Sequence, residues 1–187
     1  MTTADRLFPG QPVPALSVPT VAAGQWTLAE QTPRNFTMIV VYRGLHCSIC
    51  SRYLADLDKK LPAFAERGVE VIAMSADPRD RAERACKDWN LAELNIGYEM
   101  PPQKAREWGL YLSARRYKPI TGIEELPLFI EPGLFLVRPD KTLYWACVQT
   151  MPFARPGFDD VLRALDLVNE KNYPPRGEVL EIPETVG

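Results

Sequence analysis

The chain has one histidine and four cysteines among its 187 residues. Four cysteines are too few for a disulfide scaffold, and a lone cysteine pair with a single histidine does not supply the usual four ligands of a structural zinc site. There is no basic excess either. Lysine and arginine number 22 against 24 aspartates and glutamates, a net charge of −2, which leaves nothing to grip a nucleic-acid backbone. Long apolar runs are missing: the longest, Met38 to Tyr42, is a strand's worth against the roughly 20 residues that span a bilayer. The opening Met1-Thr2-Thr3-Ala4-Asp5-Arg6 has neither the basic start nor the apolar stretch of a secretory signal. The expected compartment is therefore the cytoplasm, with no membrane and no nucleic acid among the partners, and cysteines there are not expected to be structural staples. No repeat, charge block or low-complexity tract is visible. Nothing in the pattern calls for a metal or a cofactor.

What is present is enough for a core. Hydrophobic residues make up 46% and charged residues 25%, and the length fits one domain over residues 1–187. Eighteen prolines are about twice the usual share of roughly 5%. Pro9, Pro12, Pro14 and Pro19 fall in residues 1–20, and Pro174, Pro175 and Pro183 in residues 170–187. Proline fixes φ and removes a donor, so both ends are expected to be extended, irregular tails draped on the domain.

Between the tails, strand and helix signals alternate. Thr37 to Tyr42 is apolar on both faces and β-branched, as in a strand buried from both sides. Ile49, Tyr53, Leu54, Leu57, Leu61 and Phe64 then trace a helix that Gly68 stops, with a kink or early end expected at Pro62. Val69 to Met74 is the next strand. Asp77-Pro78 reads as an N-cap followed by proline at the first helical position, opening a helix with Ala82, Ala85, Cys86 and Trp89 on one stripe. A strand near Ile96 to Tyr98, a helix from Pro101-Pro102 to Gly109, and a connection of about twenty residues follow. A connection that long inside a domain is expected to flank a site. Leu134 to Val137 and Thr142 to Val148 read as an antiparallel hairpin, and Phe158, Val161, Leu162, Leu165 and Val168 as the last helix. The order predicts an α/β fold, a mixed central sheet with helices on both faces.

Cys47-Ser48-Ile49-Cys50 sits where the buried strand gives way to the first helix. Backbone N–H groups at a helix start are unpaired and favour negative charge, so a thiol there is more easily a thiolate, its reactive form. Cys50 lies one turn on and on the same side, within reach of Cys47. A disulfide between them closes a tiny loop, which adds little stability but cycles readily. Idle core thiols are the plain alternative; strand–CxxC–helix is the stronger signal for redox chemistry. His46, next to Cys47, would lower the thiol pKa as a cation or take its proton as a neutral base. Arg43 would supply fixed positive charge. Cys86 and Cys147 read as core. Arg115-Arg116-Tyr117-Lys118 reads as a solvated face whose best ligand would be an anionic thiol such as glutathione.

Val41-Tyr42-Arg43-Gly44-Leu45-His46-Cys47-Ser48-Ile49-Cys50 resembles the YRG-x-x-C-x-x-C signature of peroxiredoxin-like proteins, in the alkyl-hydroperoxide-reductase/thiol-specific-antioxidant (AhpC/TSA) branch of the thioredoxin fold. Pro132 to Lys141 is similar to that family's strand and turn, Met151-Pro152-Phe153-Ala154-Arg155 to its P-x-x-R segment, and Pro9 to Pro14 to its lead-in. The resemblance spans roughly Pro9 to Val168 and implies a thioredoxin-like fold. Two positions depart from it. Gly44 stands where the family carries threonine or serine, and Pro132 where it carries arginine. In the family those side chains hydrogen-bond the peroxide oxygens, and losing one such donor commonly costs ~100- to 1,000-fold in rate. Pro132 instead resembles the cis-proline of thioredoxins, so a cis Glu131–Pro132 bond is expected, with Arg43 or Arg155 standing in for the lost arginine.

The resemblance implies an antioxidant oxidoreductase with Cys47 as nucleophile and Cys50 as resolving thiol, forming a redox-active disulfide. Supporting residues are His46, Arg43, Pro132 and Arg155. Its substrate is a small peroxide or, alternatively, a disulfide, and its reductant a thioredoxin- or glutathione-type thiol. A redox sensor without turnover is the remaining alternative. Homodimers are common in the family, though the sequence names no interface.

Overall fold

The computed structural model describes residues 7–22, 24–116 and 122–181. Pro183, Tyr117 and Lys118 lie outside them. The chain opens with an antiparallel hairpin, Ser17–Pro19 (β1) against Gln25–Thr27 (β2). Leu16, Val18, Trp26 and Leu28 are buried. This corrects the reading of residues 1–20 as an irregular tail: the prolines punctuate a short hairpin whose apolar side chains belong to the core. Upstream of it the chain does drape, with Gly10 N–H donating to the Leu143 carbonyl and Val13 N–H to that of Lys141.

Phe36–Val41 (β3) is buried at every position. Side chains alternate across a strand, so Phe36, Met38 and Val40 face one core and Ile39 and Val41 the other. Ser48–Glu66 (α1) follows, then Val69–Met74 (β4), parallel to β3. The helix runs through Pro62 rather than ending there. One backbone bond is lost, and the buried stripe of Leu54, Leu57 and Phe64 holds the helix in place. Gly68, at φ +72°, makes the turn into β4, where a Cβ would come within 2.7 Å of Arg34 Nε.

Arg79–Asp88 (α2) is capped by Pro78, not by the Asp77 side chain. Asn95–Gly97 (β5) pairs parallel with β4, and Pro102–Glu107 (α3) follows. The long connection is partly a second ladder, Leu112–Ala114 (β6) against Leu128–Ile130 (β7). Gly133–Val137 (β8) and Leu143–Val148 (β9) form the expected hairpin, and Phe158–Lys171 (α4) closes the fold. The central sheet is mixed, in the order β5-β4-β3-β8-β9. α1, α2 and α4 cover one face, and α3 with the β1–β2 hairpin covers the other. β3 is the middle strand, so its C-terminal end, where Tyr42 leads to Cys47, is set from both sides.

Phe64 is fully buried and meets Phe158 of α4 edge-on at 6.1 Å. Phe64→Ala is expected to destabilise the fold by about 3–5 kcal/mol, read as a lowered denaturant midpoint with an unchanged slope.

Candidate active site

Cys47 is the N-cap of α1, and its Sγ accepts the Cys50 N–H at 3.3 Å. Sulfur occupies the place where a serine or aspartate oxygen would cap, so a negative charge there meets unpaired N–H groups and the positive end of a five-turn helix. Cys50 is one turn on, and the two cysteines approach to 2.7 Å. Both are buried and neither is bonded. Arg155 completes the cluster: its Nη2 lies 3.8 Å from Cys47 Sγ and 3.2 Å from Cys50 Sγ.

This arrangement splits the two thiols. Cys47 is pushed down to about 6, first by the hydrogen bond from the Cys50 thiol, against the cost of burial, then by the Cys50 N–H and the charges of Arg155 and Arg43. Cys50 is pushed well up, by burial first and then by the hydrogen bond its thiol donates to Cys47. Burial works against the charge on Arg155, yet the two sulfurs hold it protonated. One thiolate beside one retained thiol is the pairing a nucleophile and a resolving group require.

Of the two arginines expected to stand in for the missing one, Arg155 reaches the sulfurs. Arg43 turns away: its Nε lies 3.2 Å from Glu131 Oε2, its Nη2 3.8 Å from Glu125 Oε1, and its guanidinium 4.8 Å over the Phe129 ring. His46 belongs to that second cluster, edge-on to Phe129 at 4.9 Å with Nε2 4.0 Å from Glu125 Oε1. Burial, followed by the charges of Arg43 and Arg81, lowers its pKa to about 4. A histidine neutral at physiological pH does not act as the cation that lowers Cys47. The β6–β7 connection does flank the site, supplying Phe129 and, through Ser113, a 2.7 Å hydrogen bond to Glu131 Oε1.

The departures at Gly44 and Pro132 take physical form here. Gly44 has φ +126°, and a Cβ would sit 2.8 Å from Asp77 Oδ2 and 2.9 Å from Oδ1. The Asp77 carboxylate fills the space of the family's hydroxyl side chain. It accepts the Leu45 N–H at 2.6 Å and the Arg81 Nε at 2.8 Å, pinning the turn that delivers Cys47. Burial raises the Asp77 pKa, with Arg81 and the Leu45 N–H opposing. The Glu131–Pro132 bond is trans, for no cis bond occurs among the described residues. The expected cis-proline is thus corrected: Pro132 continues straight into β8, its carbonyl accepting the Gln149 N–H at 2.9 Å. It lines a cavity of about 10 Å³ with Tyr53, Cys147 and Arg155. Cys86 packs beside the core as expected, its pKa raised by burial. Cys147 accepts a 3.0 Å hydrogen bond from Gln149 Nε2.

Sequence reasoning missed Asp77, Glu125, Glu131 and Tyr53. Asp77 was legible only as a cap. The two glutamates carry no motif, and Tyr53 looks like any member of the α1 stripe.

A mixed sheet covered by helices, with a CxxC where the middle strand gives way to the first helix, is a thioredoxin-like architecture. More particularly, the AhpC/TSA family model matches residues 9–146, and the chain belongs to that family. Among solved structures it is similar to peroxidoxin BcpB from Mycobacterium tuberculosis, at 13% identity and TM-score 0.67 over 87% of this chain and 99% of that one. It is also similar to the reduced 2-Cys peroxiredoxin of Plasmodium vivax, at 14% and 0.71 over 89% and 84%. AhpC of Enterococcus faecalis gives 15% and 0.68 over 90% and 98%. At such identities the likeness is one of fold. No curated protein sequence matches the chain. Among the described residues no helix is long and apolar enough to cross a membrane.

Two outcomes follow from the geometry. The thiolate is the deprotonated form and its pKa is lowered, so it persists above about pH 6 and is lost below. Peptide-resolved alkylation of Cys47 by iodoacetamide should be flat above about pH 7 and fall about tenfold per unit below pH 6; a midpoint near the ordinary thiol value of about 8.5 would contradict the site as described. Gly44→Thr should not restore family behaviour. Strain at positive φ together with the clash on Asp77 is expected to cost about 2–5 kcal/mol, measured by denaturant unfolding.

Proposed function

We propose that the protein is a thiol peroxidase in which Cys47 is the nucleophile and Cys50 the resolving thiol. The Cys47 thiolate attacks one peroxide oxygen, the O–O bond breaks, and hydroxide or alkoxide leaves, taking up a proton; Cys47 becomes a sulfenic acid. The Cys50 thiol then condenses with it, releasing water and forming the disulfide. An external dithiol of thioredoxin type, or two equivalents of a glutathione-type thiol, returns both sulfurs to the reduced state. The observation that carries this reading is Arg155, whose guanidinium reaches both sulfurs. It supplies positive charge where the leaving oxygen becomes negative, the task of the family arginine absent at Pro132. Burial of both cysteines favours a small peroxide over a protein disulfide. Cytoplasmic residence and a homodimeric state are parts of the same proposal.

Disulfide exchange is the second reading. It draws support from the two missing family donors, at Gly44 and Pro132, and loses its cis-proline argument with the trans bond. Stopped-flow tryptophan fluorescence of the reduced protein with a small excess of hydrogen peroxide separates the two. The peroxidase reading expects oxidation at least 100-fold faster than a free thiol at pH 7, about the contribution of one preorganised charge donor. It also expects turnover under a recycling dithiol that is abolished in Cys47→Ser and kept in Cys86→Ser. Oxidation no faster than a free thiol, with turnover on a disulfide substrate, would favour exchange.

A further inference from the structure

We propose that Tyr53 is a positioning residue that holds the Arg155 guanidinium against the cysteine pair. Arg155 lies between β9 and α4, in a segment with no ladder or helix of its own. Its neighbours Met151 and Phe153 are 57% and 75% exposed, so burial of its own side chains does not fix that segment. Tyr53 fixes it from the side. It stands on α1 one turn beyond Cys50 and donates its hydroxyl to the Pro156 carbonyl at 2.8 Å. Its ring lies under the Arg155 guanidinium at 5.2 Å. Arg155 Nε donates to the Pro152 carbonyl at 3.0 Å, which leaves Nη2 turned to the sulfurs.

The same side chain thus grips the residue after Arg155 and supplies the face on which the cation rests. The Phe158 ring packs against that of Tyr53, with centroids 4.2 Å apart and planes tilted by 30°. Packing alone would be served by phenylalanine. Burial raises the Tyr53 pKa, so the hydroxyl remains a donor throughout the pH range in which Cys47 works. Because α1 carries Cys47, Cys50 and Tyr53, the cysteine pair and the holder of its counter-charge move as one rigid body.

The inference rests on Cys47 as the nucleophile but not on which oxidant it meets. It is tested with iodoacetamide, so its failure is distinct from that of the peroxidase reading. The pH midpoint of Cys47 alkylation is measured in wild type, Tyr53→Phe, Tyr53→Leu, Arg155→Met, and each Tyr53 variant combined with Arg155→Met. Loosening Arg155 without removing it should slow alkylation at pH 5.5 by about 2- to 3-fold in Tyr53→Phe and about 3- to 10-fold in Tyr53→Leu. Neither Tyr53 change should add to the effect of Arg155→Met, since it would act through a group already gone. A wild-type midpoint in a folded Tyr53→Leu, or an equal added shift in the Arg155→Met background, overturns the proposal. If Tyr53→Leu does not fold, Tyr53→Phe decides on the same two criteria.

Discussion

The hydrogen bond from the Cys50 N–H to Cys47 Sγ, 3.3 Å long at the first turn of α1, is the contact on which the rest of the site depends. It makes a sulfur do the work of an N-cap, so the helix itself prefers that sulfur charged. It also fixes Cys50 one turn away, where its thiol points back as a donor. Burial opposes the charge on Cys47 but favours the retained thiol on Cys50; at Cys47 the hydrogen bonds from Cys50, and then the charge of Arg155, outweigh it. A buried thiolate without a cationic partner would protonate; a cation there without the thiolate would be expensive to bury. Two further contacts, the Pro152 carbonyl and the Tyr53 ring, hold the guanidinium beside the sulfurs.

The departures from the family are coupled to this arrangement. A hydroxyl side chain at Gly44 and the Asp77 carboxylate compete for one volume, and here the carboxylate holds it. What is lost as a donor to substrate returns as a rigid turn, tied through Leu45 to α2 and Arg81. At the other departure, trans Pro132 passes directly into β8, and the preceding Glu131 takes Arg43 as its partner. Arg43 is thereby engaged by Glu131, Glu125 and Phe129 and acts on Cys47 only through its charge, while the contact with the sulfurs falls to Arg155.

Much of this was legible in the sequence, and the limits are physical. β3 announced itself because it is buried on both faces, and β4 because its apolar run is broken only by the exposed Glu70. The CxxC at the junction, the helix stripe and the P-x-x-R arginine are local patterns that survive without knowledge of the fold. The β1–β2 hairpin was lost under its prolines, being too short, at three residues a strand, for alternation to register. Asp77 meets Leu45 across 32 positions and Tyr53 meets Pro156 across 103; no spacing rule spans such distances. The trans peptide at Pro132 depends on how the chain runs from β7 to β8, which a likeness to thioredoxin does not fix. His46 misled because adjacency in a turn says nothing of direction: its ring points to Phe129 and Glu125.

The central claim is that one thiol of four is the thiolate and its neighbour three residues on closes the cycle. Mass spectrometry after one equivalent of hydrogen peroxide tests it most directly. The account predicts a loss of two hydrogens located to a Cys47–Cys50 disulfide, and, in Cys50→Ser, a sulfenic acid trapped by dimedone on Cys47 alone. Oxidation found first on Cys86 or Cys147, or a Cys47 left reduced while they react, would contradict it.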